Sequence, residues 1–195
     1  TADSIRAALR HDHAAIRKVA LVRARNNRDT AFEPAVMARL DDPSPAVRRV
    51  AAMALEEIGT AQSREALEKR LEHENDTESL SRVLRALGRV GDSASAILLE
   101  PFLASPSFLI RGTAAEMLDV LGDTPAVPLL DDLAARESVL YARGRAERAA
   151  AHLAGRTNPP AAPNRPRKPP FERALLFLLL ATAALLVAYR RRYRD

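Results

Sequence analysis

An apolar pattern that recurs about every 31 residues constrains this 195-residue chain more than any other feature. Segments 47–58, 80–90 and 110–121 place apolar residues three and four positions apart, which is the spacing of one buried helix face. A glycine follows each segment, and Gly59, Gly91 and Gly122 lie 32 and 31 residues apart. Because glycine suits the left-handed residue that ends many helices, we predict a helix end at each of them. Fainter copies start at Ile16 and Leu140.

A second, shorter apolar stretch follows four of the five copies. These stretches run over 32–40, 66–71, 97–103 and 127–133. The repeating unit is therefore predicted to be two short antiparallel helices. One such pair cannot bury both of its faces, so neighbouring pairs must stack. We predict an all-α fold for residues 1–155: a short α-solenoid of four to five antiparallel helix pairs.

The segment 40–55, with the sequence LDDPSPAVRRVAAMAL, resembles the opening of a HEAT repeat. More narrowly, it is similar to the HEAT-like repeats named for phycobilisome lyases, and segments 84–92 and 126–130 match later parts of the same unit. The resemblance covers residues 5–153. It implies a scaffold that binds a partner protein, and it does not by itself imply lyase activity. We expect the contact surface on the concave side, which the second helices would line.

In this family a hydrophobic residue followed by arginine often meets an acidic residue of a neighbouring turn. The pairs 16–17, 47–48 and 110–111 match that pattern, whereas Leu80-Ser81 departs from it. Asp12 and Asp42 stand just before two of the matching pairs. The resemblance therefore implies structural roles inside the repeats for a set of six residues: Asp42, Pro43, Val47, Arg48, Ile110 and Arg111.

Side chains that commonly carry chemistry are sparse. The chain has no cysteine, which excludes thiolate nucleophiles, disulfides and cysteine-based metal sites. Of the four histidines, His11 and His13 lie closest together in the sequence. Residues two apart point to different sides of a helix, so one metal ion could not easily bind both. No glycine-rich phosphate loop is present. We therefore expect no catalytic residue, no cofactor, no metal site and no enzymatic activity.

The charge distribution argues against nucleic acid as a partner, although the net charge is +5. Residues 1–155 hold 21 Lys and Arg against 23 Asp and Glu, whereas residues 156–195 hold 9 against 2. A nucleic-acid module needs its positive field on the folded domain. Here the basic excess belongs to the last forty residues.

Those last forty residues have the composition of a membrane anchor. Residues 156–170 form a Pro-rich linker, and residues 174–189 carry no charge. A buried core helix would show a polar face, which this run lacks. We predict a transmembrane helix over 171–190 and a basic tail over 191–195. The predicted anchor residues are Phe171, Leu175, Leu176, Phe177, Leu178, Leu179, Leu180, Leu185, Leu186, Val187 and Tyr189. The predicted basic flank is Arg173, Arg190, Arg191, Arg192 and Arg194.

Together these features predict a non-catalytic, membrane-anchored scaffold, an accessory or assembly subunit of a membrane protein complex. Its expected partners are the lipid bilayer and other subunits of that complex. Two features favour an extracytoplasmic location for the folded domain. A dense arginine cluster follows the span, and the chain begins with a residue other than Met, as it would after signal-peptide cleavage. A cytoplasmic location of the domain is the alternative. Two alternatives stay open as well: a lyase-like or maturation factor acting on a partner protein, and a C-terminally sorted extracytoplasmic protein.

Overall fold

A computed structural model describes residues 1–156, and within this range the chain forms ten α-helices and no strand. Five helices of thirteen or fourteen residues correspond to the predicted first helices of the repeats: α2 (Ala14–Asn27), α4 (Pro45–Ile58), α6 (Thr77–Val90), α8 (Phe108–Val120) and α10 (Leu140–Leu153). Five shorter ones alternate with them: α1 (Ala2–Ala8), α3 (Glu33–Met37), α5 (Arg64–His73), α7 (Ser93–Leu99) and α9 (Val127–Arg136). The predicted all-helical, HEAT-like solenoid is confirmed for these residues.

The five long helices pack side by side in chain order, and we call them the first-helix layer. The shorter helices pack against this layer, as α3 does on α4 and α9 does on α10. Short 3-10 turns accompany the shorter helices, at Thr30–Phe32, Ala61–Ser63, Glu100–Ala104 and Thr124–Ala126. Each repeat thus contacts its neighbours along the chain, which is how a solenoid is stabilised.

The core runs between the two sets of helices. Leu55, Leu87 and Leu118 of the first-helix layer are fully buried, as are Leu67 and Leu99 of the shorter helices. Burying a leucine side chain contributes about 1.5–3 kcal/mol. These leucines repeat at the same place in successive units, so the apolar spacing of the sequence becomes one continuous core.

Helix α2 differs from the later long helices. Its Ile16 and Val19 are 39% and 54% exposed, whereas Ile110, at the position of Ile16 in α8, is 1% exposed. The later helices bury this face against the preceding long helix, as the 3.1 Å contact between the hydroxyls of Thr113 and Ser81 shows. Among the described residues α2 is the first member of the layer. Its equivalent face is therefore exposed, although its sequence matches the buried pattern.

The three glycines that follow the long helices do not share one conformation. Gly122 is left-handed, with φ 71°, as predicted. Gly59 and Gly91 are extended, so the prediction of a left-handed residue there was wrong. A side chain at Gly91 would place its Cβ 2.5 Å from the carbonyl oxygen of Leu87, and one at Gly59 would meet the carbonyl of Leu55. At these two positions the close approach of the preceding helix turn explains the glycine.

Candidate functional site

An arginine at the fourth residue of three long helices joins one repeat to the next. Each of these arginines binds an acidic side chain in the loop that begins the following repeat, 25 or 26 residues along the chain. Each also donates through Nη1 to two backbone carbonyls of the loop before its own helix. We call these interactions the Arg–acid clamps: Arg17 with Asp42, Arg48 with Glu74, and Arg111 with Glu137.

The first clamp is bidentate and almost completely buried. Nε and Nη2 of Arg17 donate to the two carboxylate oxygens of Asp42 at 2.7 and 2.8 Å. Burial opposes the charge on Asp42, but the hydrogen bonds from Arg17 and from the amide of Ser44 outweigh it and hold the pKa of Asp42 below its ordinary value. The carboxylate therefore stays ionised inside the protein.

The second clamp repeats this geometry one unit later. Nε and Nη2 of Arg48 donate to Glu74 at 2.7 and 2.9 Å, and the Glu74 side chain has no exposed surface. The amides of Asn75 and Asp76 also donate to Glu74, each at 3.0 Å. Burial raises the pKa of Glu74, yet these donors together with Arg48 lower it below its ordinary value. Arg48 and Glu74 thus bind two repeats together through an ionised, fully bonded pair.

The third clamp joins α8 to the loop before α10. Nε of Arg111 donates to Glu137 at 2.5 Å, and the amide of Val139 donates to the other carboxylate oxygen at 2.8 Å. The hydrogen bond from Arg111 is the largest cause of a lowered pKa at Glu137. The same local plan therefore occurs in three of the four consecutive repeat junctions from α2 to α10.

The remaining junction, between α6 and α8, lacks both members of the clamp. Leu80 occupies the arginine position of α6, and Ser105 occupies the acid position of the next loop. A hydrogen bond between the hydroxyls of Ser81 and Thr113 links the two long helices instead. A buried arginine or a buried acid without its partner would cost more free energy than a junction that lacks both. The absence of both residues at this junction is therefore expected.

The structure places the six residues that the sequence singled out in this framework. Asp42, Arg48 and Arg111 belong to clamps, and the carbonyl of Pro43 accepts from Arg48 at 3.3 Å. Val47, like Ile110 in its own helix, packs in the core next to a clamp arginine. One expected contact is different: Asp42 stands before Arg48 in the sequence, but its carboxylate binds Arg17 of the preceding repeat.

Glu74 and Glu137 are functional members of the framework that the sequence reasoning missed. Their arginine partners lie 26 residues earlier, beyond the reach of any local motif. A usable signal does exist. Asp42, Glu74 and Glu137 each stand three residues before the first residue of a long helix.

A second concentration of charge lies on the exposed side of the first-helix layer. Nη2 of Arg85 in α6 donates to Oε2 of Glu116 in α8 at 2.9 Å, and Arg145 in α10 contacts the same oxygen. Next to them opens a groove of about 700 Å³ between α8 and α10. We call it the arginine groove; its lining residues include Glu116, Asp119, Val120, Arg145, Arg148 and His152.

No group of three or more metal-ligating side chains is present among residues 1–156. His11 and His13 stack on each other with ring centroids 5.3 Å apart, and the ring nitrogen of His11 accepts from the backbone amide of His13. This pair therefore closes the turn before α2. It brings no further ligand to a metal.

The predicted membrane localisation is wrong on the structural finding. None of the helices in residues 1–156 has both the length and the apolar surface that crossing a bilayer requires. The predicted span 171–190, with its anchor residues and its basic flank, lies outside the described residues. The lipid bilayer and the subunits of a membrane complex were inferred from that segment alone, so neither is retained as a partner.

Comparison with solved structures places the fold among HEAT-like solenoids. The chain is similar to a chain in the structure of the complex of CpcE and CpcF of phycocyanin lyase from Nostoc sp. PCC7120, with a TM-score of 0.70 and 22% identity over 80% of this chain. It spans 65% of that chain's length. It is also similar to an engineered protein, with a TM-score of 0.58 and 18% identity over 78% of this chain and 79% of the other.

At the level of sequence, no curated protein matches the chain. The pattern of the family described as HEAT repeats does match, over residues 2–81 and again over residues 76–151. These two matches together span most of the chain and coincide with the helix pairs described above. The chain therefore belongs to the HEAT-repeat family.

Proposed function

We propose that this chain is a non-catalytic scaffold that binds a partner protein and acts as an accessory or assembly subunit. One structural feature supports it most: at three of the four junctions between α2 and α10, an Arg–acid clamp holds neighbouring repeats in fixed register before any partner binds. A surface that is already ordered loses little conformational entropy on binding, which favours a docking role.

The state of the buried acids supports binding rather than acid–base chemistry. A general acid needs a carboxyl group that holds its proton near neutral pH. Asp42, Glu74 and Glu137 have the opposite property, because their arginine partners keep the pKa of each one low. These carboxylates therefore serve the architecture of the repeats.

A second candidate function is a lyase-like or maturation factor that acts on a partner protein. The similarity to a chain of the CpcE–CpcF complex of phycocyanin lyase favours this candidate. In that structure two different chains form one complex. By analogy, this chain would hold the protein that is modified, or pair with a second chain, and the reactive groups would come from elsewhere in the assembly.

Affinity purification of the full chain from its native source tests the binding function. We expect a protein partner to co-elute, and the two recombinant chains to form a complex of defined mass by light scattering. Recovery of the chain alone as a monodisperse monomer would overturn the scaffold proposal. A visible absorption band from a tetrapyrrole in the purified complex would support the lyase-like candidate over a plain scaffold.

A further inference from the structure

Two arginines from two helices contact a single carboxylate in the first-helix layer, and a third arginine lies in the groove beside them. Arg85 and Arg145 both contact Oε2 of Glu116. Arg148, one helical turn beyond Arg145, lines the same groove, and its side chain forms no hydrogen bond or ion pair with any residue in 1–156. This cluster therefore carries two more positive charges than negative charges.

The position of Arg145 shows that the positive charges crowd each other. Burial, and the charges of Arg85 and Arg148, lower the pKa of Arg145 from its ordinary value. The guanidinium also lies over the ring of Tyr141, 5.1 Å from its centroid, so its direction is fixed. An additional anion at this place would offset the repulsion between these guanidinium groups.

The other acids at the edge of the groove have side-chain partners of their own, and part of the edge is apolar. Asp119 contacts His152 at 2.5 Å, and Asp131 binds Arg156 through two hydrogen bonds of 2.8 Å. Val120 is 56% exposed beside them. The free positive charge is thus concentrated at Arg148 and Arg145, next to an apolar surface.

We propose that the arginine groove binds an acidic segment of the partner protein, with its carboxylates on Arg148 and Arg145 and an apolar side chain on Val120. This inference rests on the proposed scaffold function and adds the class of ligand and the surface. It places the contact on the long helices, in contrast to the expectation that the second helices line the binding side.

Charge selects a protein segment over nucleic acid as the occupant. Residues 1–155 carry two more acidic than basic residues, so a long polyanion would meet repulsion outside the groove. A short run of carboxylates needs only the local cluster. Arginine binds carboxylates through charge-assisted hydrogen bonds, and Arg85 and Arg145 already contact one carboxylate oxygen, Oε2 of Glu116.

Fluorescence anisotropy with the full chain tests the groove. The probe is a fluorescein-labelled peptide with the repeated sequence Glu-Glu-Leu, and the control peptide carries Gln in place of Glu. Arg148→Gln removes one unpaired charge and no side-chain hydrogen bond or ion pair within the described residues. Arg23→Gln is the matched control, because Arg23 is exposed on α2 and is likewise unpaired within residues 1–156.

We expect the Glu peptide to bind and the Gln peptide to fail. Arg148→Gln should weaken the binding about fivefold, while Arg23→Gln changes it by less than about twofold. Equal losses in both variants, no binding of the Glu peptide, or tighter binding of a single-stranded oligonucleotide would overturn this site. If Arg148→Gln still captures the co-purified partner with unchanged affinity, the groove is wrong and the scaffold function remains.

Discussion

The guanidinium of Arg48 donates two hydrogen bonds to the carboxylate of Glu74, 26 residues further along the chain. Its third nitrogen donates to the carbonyls of Asp42 and Pro43. One side chain thus fixes the loop before its own helix and the loop before the next helix. The register between repeats depends on this arrangement.

Replacing Arg48 alone should be strongly destabilising. Arg48→Leu removes both guanidinium hydrogen bonds from the buried, ionised Glu74. Only Arg70, 3.5 Å away, then remains as a cation beside it, and the loss should cost about 3 kcal/mol. The free energy of unfolding in urea, measured at pH 7, gives the value. Arg136→Leu is the control, because Arg136 and its partner Asp132 are largely exposed, and it should cost less than about 1 kcal/mol.

Removing both members of that clamp should cost less than removing one. The protein itself carries Leu80 and Ser105 at the matching positions of another junction. The double variant Arg48→Leu with Glu74→Ser should therefore recover about half of the stability lost in Arg48→Leu. The buried carboxylate of Glu74 is gone, and Arg70, which also contacts Glu74, keeps its contact with Asp41 at 3.6 Å. A double variant that is less stable than the single one would show that the clamp does not act as a unit.

Acid should weaken the fold by protonating the clamp carboxylates. Asp42, Glu74 and Glu137 have lowered pKa values, so they stabilise the folded state above their ordinary pKa of about 4, and this contribution is lost as the pH falls through the folded values. Urea unfolding at pH 7, 5, 4 and 3 measures the loss of stability.

The variant Glu74→Gln should be less stable than the wild type at pH 7, and its stability should depend less on pH. The exposed Glu65→Gln should follow the wild-type curve, and parallel curves for all three proteins would contradict the explanation.

Two isoleucines at equivalent positions should respond differently to truncation. Ile110→Ala removes a buried side chain between two long helices and should cost about 3 kcal/mol. Ile16→Ala removes a side chain that is already 39% exposed and should cost less than about 1 kcal/mol. Thermal and urea unfolding of the two variants compare them directly. Equal losses of stability in the two variants would contradict the exposure of Ile16, because they would mean that this face of α2 is buried in the folded protein.

Two glycines in long helices should also give opposite effects. A Cβ at Gly112 would lie 2.6 Å from the Tyr141 ring and 3.2 Å from the backbone of Ala142, so Gly112→Ala should destabilise the protein by about 1–3 kcal/mol. A Cβ at Gly144 would make only an ordinary contact with the end of the Arg148 side chain. Gly144→Ala should therefore stabilise by about 0.5–1 kcal/mol, the usual gain of alanine in a helix. Unfolding midpoints that shift in the same direction would contradict this packing.

The sequence was sufficient to predict the repeat and its helices. The apolar spacing that marks a helix is local, and the same spacing recurs in successive copies. It was insufficient for the contacts between repeats. Glu74 meets Arg48 only after α5 has folded back along α4, and the position of Glu74 before a long helix does not say which arginine it binds. The exposure of Ile16 likewise depends on which helix lies beside α2. The apolar pattern of α2 itself does not indicate that neighbour.

The arginine groove could not be read from the sequence for a similar reason. Arg85, Glu116 and Arg145 are each about thirty residues apart and appear as ordinary charges on three separate helices. Stacking of the repeats brings them to one oxygen atom. The predicted second-helix surface followed from the resemblance alone, which carries no information about charge on the long helices.

Hydrogen–deuterium exchange of the full chain, alone and with its co-purified partner, tests the central claim of an ordered binding scaffold. The account predicts that the amides of α4, α6, α8 and α10 are already protected in the free chain, and that the partner adds protection mainly along the exposed sides of α8 and α10. Rapid exchange throughout residues 1–156 in the free chain, with protection appearing only in the complex, would contradict it.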